Sequence, residues 1–417
     1  MTHAQEALPI GPLASLREEG KNLQARPPWS RVSMTCLIGF VLSSPFSISL
    51  SQIFVYTAII ARLVSLWREV RLDAVRFPLG RPFSLFVVLT LLSAVLSDDP
   101  ARSLVDSRQL FQILIFYGVI HTVADAREGL WLVKALLVAV AVASAYTLGV
   151  ALLGPIDLAN RVSGFYSTYM TLGGYLVIAG ALAFSYTVMS GETRGRIWVA
   201  AVGALIVVTL VTTFSRNAWI GFGASAICAA AAARSMKGGA LVAVLVVLAL
   251  ILSPPPVRKR IWSIGDLKDP TTRERIFMWE SGIRMVWDRP LFGTGLDMVK
   301  RTYSRYAHPK AMKKLTGHLH NNLLHIAAER GVPALVAWVW IMVGFFREVV
   351  RSPRSFGKGP FERRFLAVGG VAAVAGFLVA GLFEYNYGDS EVAMLAYLVM
   401  ALPFIGRENE VLSKGAG

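Results

Sequence analysis

The chain has few charged residues and almost no cysteine. Only 16% of its 417 residues are charged, whereas a soluble globular protein usually has about 25%. Long apolar runs account for the shortfall, and they indicate a protein with several membrane-spanning helices. Both cysteines, Cys36 and Cys228, lie inside such runs, so no disulfide framework is expected in any part outside the membrane.

Several catalytic and metal-binding motifs are also absent. The sequence contains no HExxH or CxxC, no Walker A loop and no GxSxG, which are the usual signals for zinc sites, nucleotide hydrolysis and serine hydrolases. No DxD-like pair of carboxylates flanks the basic segments either. We therefore expect no metal and no cofactor. Chemistry that depends on arginine and histidine alone needs a substrate with its own anionic leaving group.

Twelve apolar runs predict twelve transmembrane helices. They are 33–49, 51–67, 82–97, 108–123, 130–153, 168–190, 197–213, 218–233, 239–256, 332–346, 365–383 and 390–406. The loops on one side are rich in Lys and Arg: 68–81, 191–196, 234–237 and 347–364. The loops at 97–106 and 384–391, on the other side, are acidic or mixed. Because basic loops face the cytoplasm, both termini are predicted to lie inside.

The sequence therefore predicts an all-α polytopic membrane protein with one large, mainly helical external loop. The predicted segments are a retained cytoplasmic tail at 1–32, transmembrane helices 1–9 within 33–256, the external loop at 257–331, transmembrane helices 10–12 within 332–406, and a cytoplasmic tail at 407–417. The basic inner loops explain much of the net charge of +16, so no nucleic-acid partner is predicted.

The external loop at 257–331 is unusually basic, with fifteen Lys and Arg against seven Asp and Glu. Such a surface attracts an anionic ligand, for instance a phosphate-bearing lipid, although a generic solvated surface is the alternative. Residues 271–287 predict an amphipathic helix, with Ile276, Trp279, Ile283 and either Met285 or Val286 on its apolar face. The helix is expected to end at Asp288, since a proline follows two residues later.

Three arginines on the external side are candidates for anion binding. Arg216 lies in a short polar break between two apolar runs, where it either snorkels to the surface at a tight turn or faces a cavity. Arg161 is the only basic residue in its external connection, and its aromatic neighbours could instead form an interfacial belt. Arg275 lies on the predicted loop helix, and guanidinium groups suit phosphate because they donate two hydrogen bonds at once.

The stretch KLTGHLHNNLLHIAAERG at 314–331 contains three of the six histidines of the chain. It could form a metal site, a proton-transfer site or the polar end of a helix. Zinc needs three or four converging ligands, and HxHxxxxH matches no familiar spacing. On a helical wheel, His318, His325 and Glu329 share a face, so the wheel by itself favours them over His320.

These motifs together resemble the O-antigen ligase family, within the wider group of O-antigen ligases and polymerases. The matching segments are, in order, RVSGF at 161–165, SRNAW at 215–219, RxxxW at 275–279, DRPLFGTG at 288–295 and HLHNNLLHIAAERGVPAL at 318–335. The family often has Gly where this chain has Asn217, and its motif does not require His318 or His325.

The resemblance implies a GT-C-like glycosyltransferase architecture in the inner membrane of a Gram-negative bacterium, with the active site in the periplasm. It identifies His320 as the general base, and Arg216 and Arg275 as the essential arginines that bind the diphosphate, with Arg161 as a further contact. His318, Asn321 and His325 are implied as supporting neighbours.

The implied reaction is transfer of a glycan from undecaprenyl diphosphate to a hydroxyl of lipid A–core oligosaccharide. The implied partners are therefore this lipid-linked O-antigen donor, the lipid A–core acceptor and membrane lipids. An O-antigen polymerase and a protein O-oligosaccharyltransferase of the same superfamily are alternatives. A transporter of an anionic lipid would need charged residues at the middle of several spans, and the predicted spans have almost none.

Overall fold

The protein is helical throughout the part described by a computed structural model, which comprises residues 26–68, 75–155, 157, 160–240, 255–263, 266–352, 356–357 and 359–406. The helices are α1 (Pro28–Ser43), α2 (Ile48–Arg68), α3 (Gly80–Val95), α4 (Pro100–Asp106), α5 (Ile113–Thr122), α6 (Ala126–Ala151), α7 (Tyr169–Met189), α8 (Thr193–Thr212), α9 (Arg216–Ala232), α10 (Pro255–Trp262), α11 (Pro270–Asp288), α12 (Val299–Tyr306), α13 (Asn322–Arg351), α14 (Phe361–Gly381) and α15 (Ser390–Ala401). Short 3-10 helices follow α4 at Ser107–Gln112 and α15 at Leu402–Phe404. The described residues contain no strand.

Six of these helices are long and apolar enough to cross a membrane, namely α2, α6, α7, α8, α13 and α14. Eleven of the twelve predicted spans lie within the described residues, and each of them overlaps a helix, but those at 33–49, 82–97, 108–123, 218–233 and 390–406 coincide with shorter helices. The predicted span at 239–256 lies mostly outside the described residues, as do most of the 1–32 tail and the 407–417 tail. The chain is thus a multi-pass helical membrane protein, and the count of twelve spans stays a prediction.

The centre of the bundle is formed by α7 and α14. In their most apolar stretches, 83% and 78% of the residues are buried, against 28% for α2 and α8. Helix α14 packs against both α7 and α9. Small residues allow this close approach: a Cβ on Gly221 of α9 would lie 2.9 Å from the carbonyl oxygen of Gly376 in α14. Tight packing of small residues is how helices associate inside a bilayer, where burial of apolar surface supplies little drive.

The basic loop forms a helical layer at one end of the bundle. Its helices α11 and α12 share a small apolar core with Leu319 and Ala328, to which Met278, Met285, Val299 and Tyr303 contribute. Helix α11 ends at Asp288 as the sequence predicts. Of its predicted apolar face, Met285 is buried whereas Ile283 is 48% exposed, and the buried Met278 was not predicted.

Ion pairs fasten this layer to the segment that follows α3. Arg289 contacts Asp98 at 2.8 Å, Arg102 contacts Asp297 at 2.6 Å and Arg301 contacts Asp99 at 3.5 Å. Each pair is partly exposed, so each adds little to stability individually. Together they fix where the loop lies on the bundle. The acidic residues at 97–106, which sequence reasoning used only for orientation, thus have a structural role.

A break in α13 joins the layer to the membrane-spanning part. Gly331 has φ 84° within the helix, a left-handed conformation that suits glycine. The break frees carbonyl groups, and the segment 290–295 satisfies the backbone there. Thr294 and Gly295 donate their N–H groups to the carbonyls of Ala328 and Glu329 at 2.9 Å, and Val332 donates to Pro290 at 2.8 Å. The GTG of this segment is therefore a packing turn.

Candidate active site

His320 and Glu384 form the centre of a polar cluster at the end of the bundle that carries the basic loop. Nδ1 of His320 lies 2.8 and 2.9 Å from the two carboxylate oxygens of Glu384. An ionised carboxylate can only accept, so Nδ1 carries the proton and the lone pair of Nε2 is available. His320 also has φ 50°, and this conformation costs a non-glycine residue about 1–2 kcal/mol. Such strain is typical of functional positions.

Three consecutive residues hold this strained backbone against the loop between α14 and α15. His320 contacts Glu384, the Asn321 amide donates to the carbonyl of Leu382 at 2.9 Å, and the Asn322 amide donates to Asn386 at 2.6 Å. Asn321 also caps α13, since its side-chain oxygen accepts the N–H of Leu324 at 2.9 Å. The HNN motif therefore fixes the position of His320, because each of its three residues bonds to the loop between α14 and α15.

The surroundings of the cluster favour a neutral His320 and a charged Glu384. Burial lowers the pKa of His320 below its ordinary value, and this outweighs the opposite effect of Glu384. Although burial works against it, the hydrogen bonds of His318 and His320 and the charge of Arg275 hold the pKa of Glu384 well below its usual range. A neutral imidazole oriented by an anionic partner is the arrangement of a general base.

His318 is the second histidine on this carboxylate. Its Nε2 lies 3.3 Å from Glu384, and its side chain is 42% exposed. Burial opposes protonation, but the bond to Glu384 and its charge raise the pKa of His318 above the ordinary value. The two histidines next to Glu384 thus differ in protonation tendency, and His320 is the one suited to accept a proton.

Arg275 reaches the same carboxylate from the loop helix. Its Nη2 lies 3.3 Å from Glu384, and its side chain is 19% exposed. Burial lowers the pKa of Arg275, and the charges of Arg216 and Arg161 add to this effect against the attraction of Glu384. One turn along α11, the Trp279 ring lies 6.3 Å from that of Phe383. The RxxxW pair therefore fastens α11 to the loop that carries Glu384.

Arg216 is buried at the start of α9 and points toward the first turn of α11. Its Nη1 donates to the Ser263 carbonyl at 2.5 Å, and its Nη2 lies 2.9 Å from the Thr271 hydroxyl and 3.2 Å from Asp269. The preceding residue but one, Phe214, has φ 51°, which sets the sharp turn between α8 and α9. Of the two alternatives for Arg216, snorkelling to the surface does not fit this environment.

A cavity of about 220 Å³ brings the predicted arginines together with His320. Arg161, Arg216, Arg275 and Lys313 line it, with Glu274 as an acidic member. The guanidinium of Arg161 lies 4.5 Å from the ring centre of Tyr169. Arg161 therefore contacts an aromatic neighbour and also lines the cavity. Pro270 and Thr271, the first residues of α11, also line the cavity. A helix N-terminus and several arginines together favour an anion.

His325 lies away from the cavity in a buried network. Its Nε2 is 3.2 Å from Glu329, and its ring stacks on Tyr385 at 3.6 Å. Arg330 completes the network, 3.5 Å from the Tyr385 hydroxyl and 3.1 Å from the Gln109 amide oxygen. These contacts support the loop that holds Glu384 from behind. His325 therefore packs in this buried network and helps to position the loop, and it does not line the cavity.

One group of side chains could geometrically hold a metal ion in the described part of the chain, and it consists of His318, His320 and Glu384. A cation there would take the Nδ1 atom that faces Glu384, and it would lie beside the Arg275 guanidinium. Because the neighbouring positive charge repels a cation, the hydrogen-bonded arrangement suits this set of residues better.

Sequence reasoning missed Glu384, which organises the whole cluster. It appeared only as one of the acidic residues in EYNYGDSE, and nothing in its spacing links it to a residue 64 positions earlier. The helical-wheel argument also fails, because α13 begins at Asn322. His318 and His320 precede the helix, so they do not share a face with His325 and Glu329.

Comparison with known proteins adds a family. The family model described as O-antigen ligase matches residues 179–339, a range that includes Arg216, Arg275 and His320 but not Arg161 or Glu384. No curated protein matches the chain. The match over residues 179–339 is to the family that the motifs of the chain predicted.

Proposed function

We propose that this protein transfers a glycan from undecaprenyl diphosphate to a hydroxyl of lipid A–core oligosaccharide, at the periplasmic face of a Gram-negative inner membrane. The observation that supports this most strongly is the position of His320. The histidine is oriented by Glu384 and lines a cavity that Arg161, Arg216 and Arg275 also line. A base and an anion site therefore face one another across a space that fits the reacting end of a lipid diphosphate.

The arginines stabilise the leaving group. When the bond between the sugar C1 and the diphosphate oxygen breaks, its electron pair stays with the diphosphate and increases the negative charge there. Guanidinium groups already aimed at this position are worth about 3–4 kcal/mol each in comparable sites. Arg275 has one weak contact with Glu384 at 3.3 Å, so its other N–H groups can turn to the phosphates. Arg216 exchanges part of its contact with Asp269 for the donor.

His320 accepts the proton of the attacking hydroxyl. The acceptor oxygen bonds to C1 on the side opposite the leaving diphosphate, so the configuration at C1 inverts and no glycosyl-enzyme forms. Because a sugar hydroxyl is much less acidic than imidazolium, the proton reaches Nε2 late, when the new bond is well advanced. The resulting imidazolium is stabilised by Glu384, which keeps its negative charge throughout.

The experiment is reconstitution of the purified protein in liposomes with labelled undecaprenyl-diphosphate glycan, lipid A–core and EDTA. The proposal predicts label on lipid A–core without ATP and without added metal. Label only in longer lipid-linked chains would identify a polymerase, and label on a co-reconstituted protein an oligosaccharyltransferase. A strict requirement for added metal would contradict the mechanism based on arginine and histidine.

Replacement of Arg275, which lines the cavity, distinguishes this mechanism from a general effect of surface charge. Arg275→Ala should lower the transfer rate by about 10²–10³-fold, because a preorganised donor to the leaving group is lost. Arg284→Ala is the matched control, since Arg284 is exposed on the same helix and does not line the cavity. Equal rates for the two variants would remove Arg275 from the proposed site.

A further inference from the structure

A second and larger cavity lies beside the start of α2. Its volume is about 520 Å³, and its wall comes from α2, the 3-10 helix at Ser107–Gln112 and the first residue of α15. The polar side chains in this wall are Gln52, Tyr56, Arg108, Gln109 and Gln112. None of them lines the cavity that contains His320.

Gln112 is the most informative residue of this wall. It is only 5% exposed, yet its carboxamide has no hydrogen-bond partner among the residues that the structure describes. Its amide atoms are not among the enclosed side-chain atoms that lack a partner, so the carboxamide faces the open space of the cavity. There it is free to donate to and accept from a ligand.

Other neutral polar side chains that can donate and accept hydrogen bonds line the same cavity. Gln52 and Tyr56 lie one helical turn apart on α2 and also have no partner in the described chain, and Arg108 stands exposed at the rim. Gln109 uses its amide oxygen for Arg330 at 3.1 Å, which leaves its N–H groups free to donate. Carboxamides that both donate and accept, next to the aromatic rings of Tyr56 and Phe111, match the hydroxyls and apolar faces of sugars.

We propose that this cavity binds the sugars of the acceptor glycan, an inference that rests on the transfer reaction proposed above. The loop between α14 and α15 separates the two cavities, since Glu384 contacts His320 and Ser390 lines the second cavity. Tyr385 of this loop contacts Arg330, which contacts Gln109. An acceptor bound there lies on the other side of this loop from the diphosphate site, so its attacking hydroxyl extends past the loop to reach His320 and C1 of the donor.

The sugar chain of the donor has the same chemistry, and charge decides between the two sources. The first cavity has four cationic side chains for a diphosphate, namely Arg161, Arg216, Arg275 and Lys313. The second has Arg108 as its one cation, and its remaining polar groups are neutral. This neutral, amide-rich wall fits hydroxyls better than a diphosphate, so we assign it to the acceptor.

The test is steady-state transfer kinetics in liposomes with the two substrates varied separately. Gln112→Leu should raise the KM for lipid A–core about tenfold, with kcat and the KM for the lipid-linked donor unchanged. Arg108→Ala, at the rim, should raise the same KM by a smaller factor. Arg301→Ala is the control, because this arginine pairs with Asp99 and lines neither cavity.

Each outcome decides one of the two proposals. A rise in the donor KM instead would assign the cavity to the donor glycan, and an unchanged acceptor KM in both variants would overturn the site. If the unmodified protein transfers nothing to lipid A–core, the proposed reaction fails. Binding of fluorescent lipid A–core to the detergent-solubilised protein then tests the cavity separately, with weaker binding expected for Gln112→Leu. Its Tm should not fall, since no partner within the described chain is lost; a lower Tm would indicate a structural role.

Discussion

His320 gains its chemical role from contacts that lie outside its own sequence neighbourhood. The left-handed backbone turns its ring toward Glu384, and Asn321 and Asn322 hold that backbone by bonds to the loop between α14 and α15. The motif HNN is visible in the sequence, but its partners are about sixty residues away. The sequence around the histidines therefore allowed three interpretations, and only the family resemblance favoured His320.

The pH dependence of transfer tests the role of Glu384. Because the pKa of His320 is lowered, its neutral form prevails at pH 7, and the rate should fall only as the pH drops through a value below the ordinary histidine range. Glu384 raises the pKa of His320, so Glu384→Gln should shift this fall to still lower pH. The same variant should lower the maximal rate about 10²-fold, because the imidazolium loses its anionic partner.

The matched control for this variant is Glu280→Gln. Glu280 pairs with His308 at 3.4 Å on the exposed part of the loop, so its removal should leave the pH profile unchanged. A profile of Glu384→Gln that moves to higher pH, or a rate equal to that of the control, would contradict the assignment.

At the scale of elements, the break in α13 at Gly331 joins the loop layer, which carries Arg275 and His320, to the bundle. The first part of the helix belongs to the loop layer, and the second part runs through the bundle. The segment 290–295 fills the gap between them with backbone hydrogen bonds. The sequence predicted a helix over 271–287, and the structure has one at Pro270–Asp288. It predicted Met285 but not Met278 on the buried face of α11, because that face packs on Leu319 and Leu324, which come from a distant segment.

Gly331→Ala tests this junction. A Cβ at this position would lie 2.1 Å from the carbonyl oxygen of Leu291, on a backbone with φ 84°. Strain and overlap of this kind cost about 3 kcal/mol or more, so the variant should have a markedly lower Tm and yield. Gly149→Ala is the control, since a Cβ there meets nothing within 4 Å and alanine favours the interior of α6. Equal Tm values for both variants would show that the junction is not required.

At the scale of the whole molecule, apolar runs and charge asymmetry predicted a helical membrane protein with one basic loop. Those features follow from local composition, which is why a single sequence was sufficient. The ion pairs that place the loop, for example Arg102 with Asp297, join residues that only the folded chain brings together. The orientation of the bundle in the membrane remains a prediction from the basic loops.

Cysteine accessibility tests that orientation. In a chain with Cys36 and Cys228 replaced by alanine, Lys310→Cys should react with a membrane-impermeant maleimide in cells with a permeabilised outer membrane. Gly191→Cys, between α7 and α8, should react only after the inner membrane is disrupted. Both positions are exposed in the folded protein. The reverse pattern would place the basic loop and the site in the cytoplasm.

The most direct test of the central claim is the transfer rate of His320→Ala beside that of His308→Ala in the reconstituted system. His308 belongs to the same loop but stacks on Phe277 at 4.4 Å and lines no part of the arginine cavity. Loss of the general base should lower transfer to lipid A–core by about 10²–10⁴-fold in His320→Ala, while His308→Ala keeps the normal rate. Near-normal transfer by well-expressed His320→Ala would contradict the account.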